Sequence, residues 1–187
     1  MYNKNLLANK FEKSIFEIMD KPIKIAVLTI STRGSKGERK EDTSGETIKE
    51  MVKQLHSEMV FYKIIPDDKT EIIRQLRQIS ESGSADLILT TGGTGLSPND
   101  VTPEATLDVI DRRVPGLEEI MRRIGFEKTP HALLSRAVAG IYKKTLIVNL
   151  PGSPKGVREN LDIILPVIPH AVNILRDEKI EDKDHIL

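Results

Sequence analysis

A run of four small residues, Gly92, Gly93, Thr94 and Gly95, follows an apolar stretch and precedes a carboxylate at Asp100. At the end of a strand, such a run presents backbone N–H groups with no side chains in the way, which suits phosphate. It has neither the spacing of a Walker loop nor that of the dinucleotide-binding fingerprint. A simple turn that needs positive backbone angles would use the same residues. The spacing alone therefore leaves a phosphate-binding loop and a plain turn both open.

Two aspartates, Asp67 and Asp100, each come just after a predicted strand and just before a predicted helix, where an aspartate ordinarily caps the helix. Better caps are available at both places, because Asp68 forms a capping box with Glu71 three positions later, and Thr102 precedes a proline. Mg²⁺ takes one or two carboxylates together with phosphate oxygens. The pattern thus predicts either a Mg²⁺ and nucleotide site or a pair of solvated loop aspartates.

Two further segments could contact an anion. In PGSPKG, Ser153 can cap a helix that Pro154 opens, and Lys155 lies near its start. The macrodipole disfavours a cation there, so Lys155 makes more sense if it faces a bound anion, with an exposed lysine as the alternative. Ser135 and Arg136 could form another anion contact or simply lead into a strand.

Strands and helices must position these residues. Along the chain, apolar runs typical of strands alternate with apolar residues at helical spacing. Strands are predicted over 24–30, 60–66 and 86–91, with two more inside 135–150 that meet at a Lys-Lys turn. Helices are predicted to begin at the capping box of Thr43 and Glu46, after Asp68, at Thr102, and near 117 and 157. Pro166 interrupts the last of these helices, and a new helical register begins after it. This alternation predicts an α/β layer fold with a mostly parallel sheet, whose ligands bind at the carboxyl ends of the strands.

Composition narrows the class of protein. The 187 residues predict one domain over 23–177, an appended helix over 1–22 and a charged tail over 178–187. Lysine plus arginine and aspartate plus glutamate number 28 each, so we expect no nucleic-acid partner. Cysteine is absent and the four histidines lack ligand spacing, which argues against zinc and fits the cytoplasm. No apolar run is long enough for a membrane helix or a signal peptide.

Seven segments together resemble a known family. LTTGGTG, DVTPEATL, VPGLEE, LSRAVAG and NLPGSPKGVRE, with IIPDD and EDTSGE, are similar to the MoaB/Mog family, the molybdopterin adenylyltransferases of molybdenum cofactor biosynthesis. The resemblance implies a three-layer α/β/α fold with the molybdopterin-binding topology, assembled as a homotrimer or a hexamer. It also implies Mg²⁺-dependent transfer of AMP from ATP to the terminal phosphate of molybdopterin, with pyrophosphate released. The product would pass to a downstream protein that inserts the metal.

The resemblance also implies roles for individual residues. Asp67 and Asp100 match the family's essential carboxylates and would bind or orient Mg²⁺ without transferring protons. The phosphate-holding turn falls on Gly92, Gly93, Thr94 and Gly95, and the pterin-binding edge falls on Ser135, Ser153 and Lys155. One departure concerns Thr32, because family members often carry an aspartate at this position.

Two rival functions remain open at this point. A pterin-binding or scaffolding module would keep the pocket but would not need both carboxylates. A nucleotide pyrophosphatase would use water in place of molybdopterin as the acceptor. The match to PGSPKG favours molybdopterin over water as the acceptor.

Overall fold

The computed structural model describes residues 21–38 and 41–176. Its centre is a six-stranded sheet with the strand order β2-β1-β3-β6-β5-β4. The strands are β1 (Ile23–Ile30), β2 (Ser57–Ile65), β3 (Leu87–Thr91), β4 (Arg112–Arg113), β5 (Ala139–Tyr142) and β6 (Thr145–Leu150). Strands β2, β1, β3 and β6 run parallel, whereas β5 and β4 are antiparallel additions at one edge. The predicted mostly parallel sheet is therefore confirmed.

The central strands are apolar on both faces because helices cover both faces. The helices are α1 (Thr32–Ser35), α2 (Thr43–Met51), α3 (Lys69–Glu81), α4 (Thr102–Leu107), α5 (Pro115–Lys128), α6 (Pro154–Ile164) and α7 (Ile168–Arg176). One buried cluster joins alternate residues of the strands to α2, α5, α6 and α7, and a second joins the opposite residues to α3 and α4. The fold is thus a three-layer α/β/α sandwich, as the family resemblance implied.

Most predicted elements form, with shifted ends. Strand β2 begins three residues before the predicted Val60, and the segment before Ala139 is not a strand. The Lys143-Lys144 turn joins β5 to β6 as predicted, and Lys143 has a positive φ of 54°. A short 3-10 turn at Leu165–Val167 separates α6 from α7, which confirms the change of register at Pro166. The two-residue strand β4 has no pattern that a sequence could reveal.

Two predicted helix caps are wrong. The N-cap of α2 is Asp42, whose carboxylate accepts from Gly45 N, and not Thr43. Helix α4 has no side-chain cap at all, because the Thr102 hydroxyl donates instead to the Gly92 carbonyl at 2.9 Å. By contrast, Asp68 accepts from Glu71 N and Ser153 accepts from Gly156 N, as predicted.

The predicted N-terminal helix falls almost wholly within 1–20, and the predicted tail within 177–187, so both lie outside the described residues. Within the described part of the chain, every helix is too short or too polar to cross a lipid bilayer.

Candidate functional site

The candidate site lies at the carboxyl ends of β1, β3 and β6. Because these strands are parallel neighbours, the loops that follow them share one edge of the sheet. Gly92 N donates to the Leu150 carbonyl at 3.2 Å, and the Thr91 hydroxyl donates to the Pro151 carbonyl at 2.6 Å. These bonds hold the TGGTG turn directly beside the PGSPKG turn.

Two glycines of the TGGTG turn are required by the backbone. Gly92 has a φ of 102°, and a Cβ there would lie 2.3 Å from the Ile30 carbonyl oxygen. Gly93 has a φ of 63°, and a Cβ there would lie 2.4 Å from the Thr102 hydroxyl oxygen. The turn therefore needs positive backbone angles and also leaves the backbone bare, so the two interpretations of the sequence are compatible.

Two neighbouring cavities open at this edge. The first, of about 570 Å³, is lined on one side by Asp67, and the second, of about 560 Å³, is lined by Asp100. Gly93 and Gly152 line both cavities. A Cβ at Gly152 would lie only 3.3 Å from Gly92 Cα, so the partition between the cavities consists of closely packed backbone.

The predicted site residues divide between these cavities. Residues of the first are Asp67, Gly92 and Gly93, with Thr29, Ser31, Thr32, Arg33, Ser44 and Asn99 among its other polar walls. Residues of the second are Gly93, Thr94, Gly95, Asp100, Ser135, Ser153 and Lys155. Apart from Arg136, every predicted site residue therefore lines one cavity or the other, and Gly93 lines both.

Asp67 is fixed by Thr32, the first residue of α1. Its Oδ2 accepts from Thr32 N at 2.7 Å and from the Thr32 hydroxyl at 2.8 Å, and its own N–H donates to that hydroxyl oxygen at 3.0 Å. Its Oδ1 would lie 3.6 Å from a Cβ at Gly93, and no described residue donates a hydrogen bond to it. One carboxylate oxygen is thus held by the protein while the other faces the glycine turn.

Asp100 is fixed within its own loop. Its Oδ2 accepts from Ser97 N at 2.9 Å, and its N–H donates to the Ser97 carbonyl at 2.9 Å. A Cβ at Gly95 would lie 2.9 Å from that same Oδ2, so only glycine leaves the carboxylate this close to the turn. Asp67 and Asp100 consequently flank the turn at Gly93 and Gly95.

The anion contacts predicted outside the turn differ in outcome. Ser135, Ser153 and Lys155 line the second cavity, and within the described residues Lys155 forms no ion pair. Arg136 was a second candidate for an anion contact, but its guanidinium is engaged by Glu104 and by the carbonyls of Gly95 and Asp100. Arg136 is therefore not available to a ligand.

The sequence did not reveal a buried ion pair behind the second cavity. Glu118 is 2% exposed and accepts from Arg113 at 2.6 Å and from Ala139 N at 3.1 Å, with Arg122 at 3.5 Å. Because its oxygens are already satisfied, Glu118 supports the wall and does not offer a free charge. In the sequence, the position of Glu118 within the segment VPGLEE is the one indication that this residue belongs to the site.

A polar network lies behind the first cavity. Asp42 accepts hydrogen bonds from the hydroxyls of Thr29, Tyr62 and Ser44 and from Gly45 N, and Thr29 and Ser44 also line the cavity. Burial raises the pKa of Asp42, but the hydrogen bonds from Thr29 and Tyr62 outweigh it and bring the pKa below its usual value. The network keeps an ionised carboxylate under this cavity.

Comparison with known proteins gives a consistent picture. The model of the family described as "Probable molybdopterin binding domain" matches residues 26–170. A molybdopterin adenylyltransferase of Helicobacter pylori is 42% identical over 155 residues, which cover 82% of this chain and 88% of the relative. Gephyrin of Dictyostelium discoideum is also 42% identical, but the matched region spans only 23% of that longer protein.

A solved structure shares the fold. The crystal structure of the molybdopterin biosynthesis enzyme MoaB from Thermus thermophilus has a TM-score of 0.79 and 47% identity, covering 85% of this chain and 99% of the other. The resemblance inferred from the motifs is confirmed. With its glycine turn flanked by two carboxylates and its sequence match over most of its length, the chain belongs to the MoaB/Mog family of molybdopterin-binding domains.

Proposed function

We propose that this protein is a molybdopterin adenylyltransferase that acts in molybdenum cofactor biosynthesis, transferring AMP from ATP to molybdopterin with release of pyrophosphate. The observation that carries the proposal is the pair of cavities that meet at Gly93 and Gly152, with Asp67 in the wall of the first and Asp100 in the wall of the second. Two adjoining cavities suit a reaction that joins two substrates. The relatives named molybdopterin adenylyltransferase support the same function.

The lining residues support one assignment of the substrates. ATP would occupy the first cavity with its phosphates at the N–H groups of the glycine turn. Molybdopterin would occupy the second, where Lys155 and the hydroxyls of Ser135 and Ser153 can bind its terminal phosphate. The two reacting phosphates would then meet at Gly93, where the absence of a side chain lets them approach.

The chemistry requires positioning more than side-chain reactivity. An oxygen of the terminal phosphate of molybdopterin attacks the α-phosphorus of ATP, and the bond to the bridging oxygen breaks, so pyrophosphate leaves with the electron pair. The attacking phosphate is already an anion, and no protein group has to remove a proton from it. The turn and the carboxylates would therefore act by holding the substrates in line.

The site fits Mg²⁺ as a cofactor. Among the described residues, no group of three or more histidine, aspartate or glutamate side chains could enclose a metal. Mg²⁺ needs only one or two carboxylates when phosphates complete its shell, and the free Oδ1 of Asp67 and the carboxylate of Asp100 are oxygen ligands of that kind. When bound, Mg²⁺ would neutralise the charge that develops on the leaving pyrophosphate.

The remaining proposals concern assembly. The family resemblance favours a homotrimer or a hexamer, and a downstream metal-insertion protein would receive the adenylylated pterin. Exposed apolar side chains on α5 and the turn after it would suit a subunit contact, namely Phe126, Leu133 and Leu134. Light scattering coupled to size-exclusion chromatography would measure the mass of the assembly, and a monomer at micromolar concentration would contradict the proposal.

The function is tested by incubating the purified protein with molybdopterin and MgATP and separating the products by chromatography. We expect adenylylated pterin and pyrophosphate to form only when both substrates are present, and not to form when EDTA is added. Pterin that is retained without ATP turnover would point to a binding module. ATP hydrolysis that proceeds without pterin would point to a pyrophosphatase. Either result would overturn the adenylyltransferase.

A further inference from the structure

Arg136 binds a stretch of the chain, 94–104, that lies more than 30 positions before it in the sequence. Its Nε donates to the Gly95 carbonyl at 2.7 Å, its Nη2 donates to the Asp100 carbonyl, and its Nη1 pairs with the Glu104 carboxylate. Its backbone N–H also donates to the Thr94 carbonyl at 3.0 Å. A single residue therefore binds both ends of the loop that carries the turn and Asp100.

The loop has few other bonds that would fix it. From Thr94 to Asp100, the chain between β3 and α4 is irregular and exposed at its tip, where Leu96 is 63% exposed. Its internal bonds are those between Ser97 and Asp100 and one from Asn99 N to the Ser97 hydroxyl, which shape the tip but do not anchor it to the domain. Thr102 closes the base of the loop, because its N–H and hydroxyl donate to the Gly93 and Gly92 carbonyls. The side-chain bonds that reach the Gly95 and Asp100 carbonyls from a distant part of the chain come from Arg136.

Only a guanidinium can make these contacts together. It is planar and carries five N–H donors in a fixed fork, so it can donate to two carbonyls and a carboxylate at once. Glu104 lies at the start of α4, and its charge orients the guanidinium beside the loop. Arg136 lines neither cavity, so it acts behind the loop and not on a substrate.

We propose that Arg136 is a positioning residue that holds Gly95 and Asp100 in the geometry that adenylyl transfer requires. The consequence for turnover rests on the function proposed above, whereas the ordering of the loop does not. Without the fork, the Asp100 carboxylate would sample many positions relative to Gly93, and turnover would fall more than substrate binding.

The test compares Arg136→Lys and Arg136→Met with a matched control, Arg74→Lys. Arg74 forms a bidentate pair with Glu71 on the exposed face of α3, at 2.7 Å for both bonds, and contacts no part of the loop. Lysine keeps a charge beside Glu104 but cannot replace the fork, and this variant guards against the chance that Arg136→Met fails to fold. Hydrogen exchange followed by mass spectrometry reports on peptides spanning 93–101, and steady-state kinetics reports kcat and KM.

The expected result for Arg136→Lys is faster exchange in 93–101 by about tenfold, with the rest of the domain unchanged. We also expect kcat to fall by about tenfold and KM for ATP to change by less than about threefold. Arg74→Lys should alter neither measurement.

Other outcomes separate the two proposals. Unchanged exchange in 93–101, or faster exchange throughout the domain, would overturn the positioning role. Faster loop exchange with an unchanged kcat would overturn its catalytic consequence. Absence of transfer by the wild-type protein would overturn the proposed function, while the exchange data would still decide whether Arg136 orders the loop.

Discussion

Thr32 holds Asp67 through three hydrogen bonds, two of which use the Thr32 hydroxyl as donor and acceptor at once. The hydroxyl binds Oδ2 and the backbone N–H of the same aspartate, so it fixes both the position and the rotation of the carboxylate. The Oδ1 atom of Asp67 therefore faces Gly93 and the first cavity. Thr32 thus orients the carboxylate that the proposed reaction uses.

Replacing Thr32 tests this relationship. Thr32→Val keeps the shape but removes the hydroxyl, so Asp67 N loses its acceptor and Oδ2 loses one donor, which should destabilise the protein by about 1–2 kcal/mol. We expect kcat for adenylyl transfer to fall by about tenfold. Thr32→Ser retains the hydroxyl and should stay near wild type. Equal losses in the two variants would show that the methyl group, and not the hydroxyl, matters.

Asp100 provides a second test. Asp100→Asn keeps an oxygen that can accept from Ser97 N but removes the negative charge. We expect transfer to fall by at least about 100-fold, because the site would lose a carboxylate needed for the metal, while binding of pterin persists. Product formation and pterin retention are measured on the same sample. Asp108→Asn, which breaks only an exposed pair with Lys69, is the control. Wild-type turnover by Asp100→Asn would refute the metal role.

Gly93 and Gly83 form a natural matched pair. Their φ values are 63° and 64°, but a Cβ at Gly83 would meet no atom within 4 Å, whereas at Gly93 it would lie 2.4 Å from the buried Thr102 hydroxyl. Gly83→Ala should therefore cost only the backbone penalty of about 1–2 kcal/mol. Gly93→Ala should cost about 3 kcal/mol or more and abolish transfer, because Thr102 must move. Urea unfolding measures both, and equal costs would mean that the turn accommodates a side chain.

How far the sequence predicts the fold depends on the range of the interactions involved. The strands β1, β3 and β6 were predictable because burial on both faces demands continuous apolar runs such as Leu87–Thr91. The caps were less predictable, since Asp42 and Thr43 are adjacent and either can accept from the first turn of α2. Asp42 is the N-cap in the folded protein because Thr29 and Tyr62, which are distant in the sequence, donate hydrogen bonds to its carboxylate.

The candidate site shows the same limit. The small residues and the two aspartates were visible because strand ends and helix starts place them locally. The role of Arg136 was misjudged, because its partners Gly95, Asp100 and Glu104 lie more than 30 residues away in the chain. The division into two cavities depends likewise on the packing of Gly152 against Gly92, which belong to different loops.

The depressed pKa of Asp42 predicts a dependence of stability on pH. Because the native state favours the ionised form, this carboxylate stabilises the protein fully above its unfolded pKa, near 3.8, and the contribution is lost as the pH falls through the lower native pKa. The difference in free energy of unfolding between wild type and Asp42→Asn should therefore be constant from pH 7 to about pH 5 and shrink below about pH 4. Urea unfolding at several pH values measures it, with Asp162→Asn, at an exposed position, as the control for removing one negative charge. A difference that stays constant down to the lowest pH at which both proteins fold would mean that Asp42 acts by shape and not by charge.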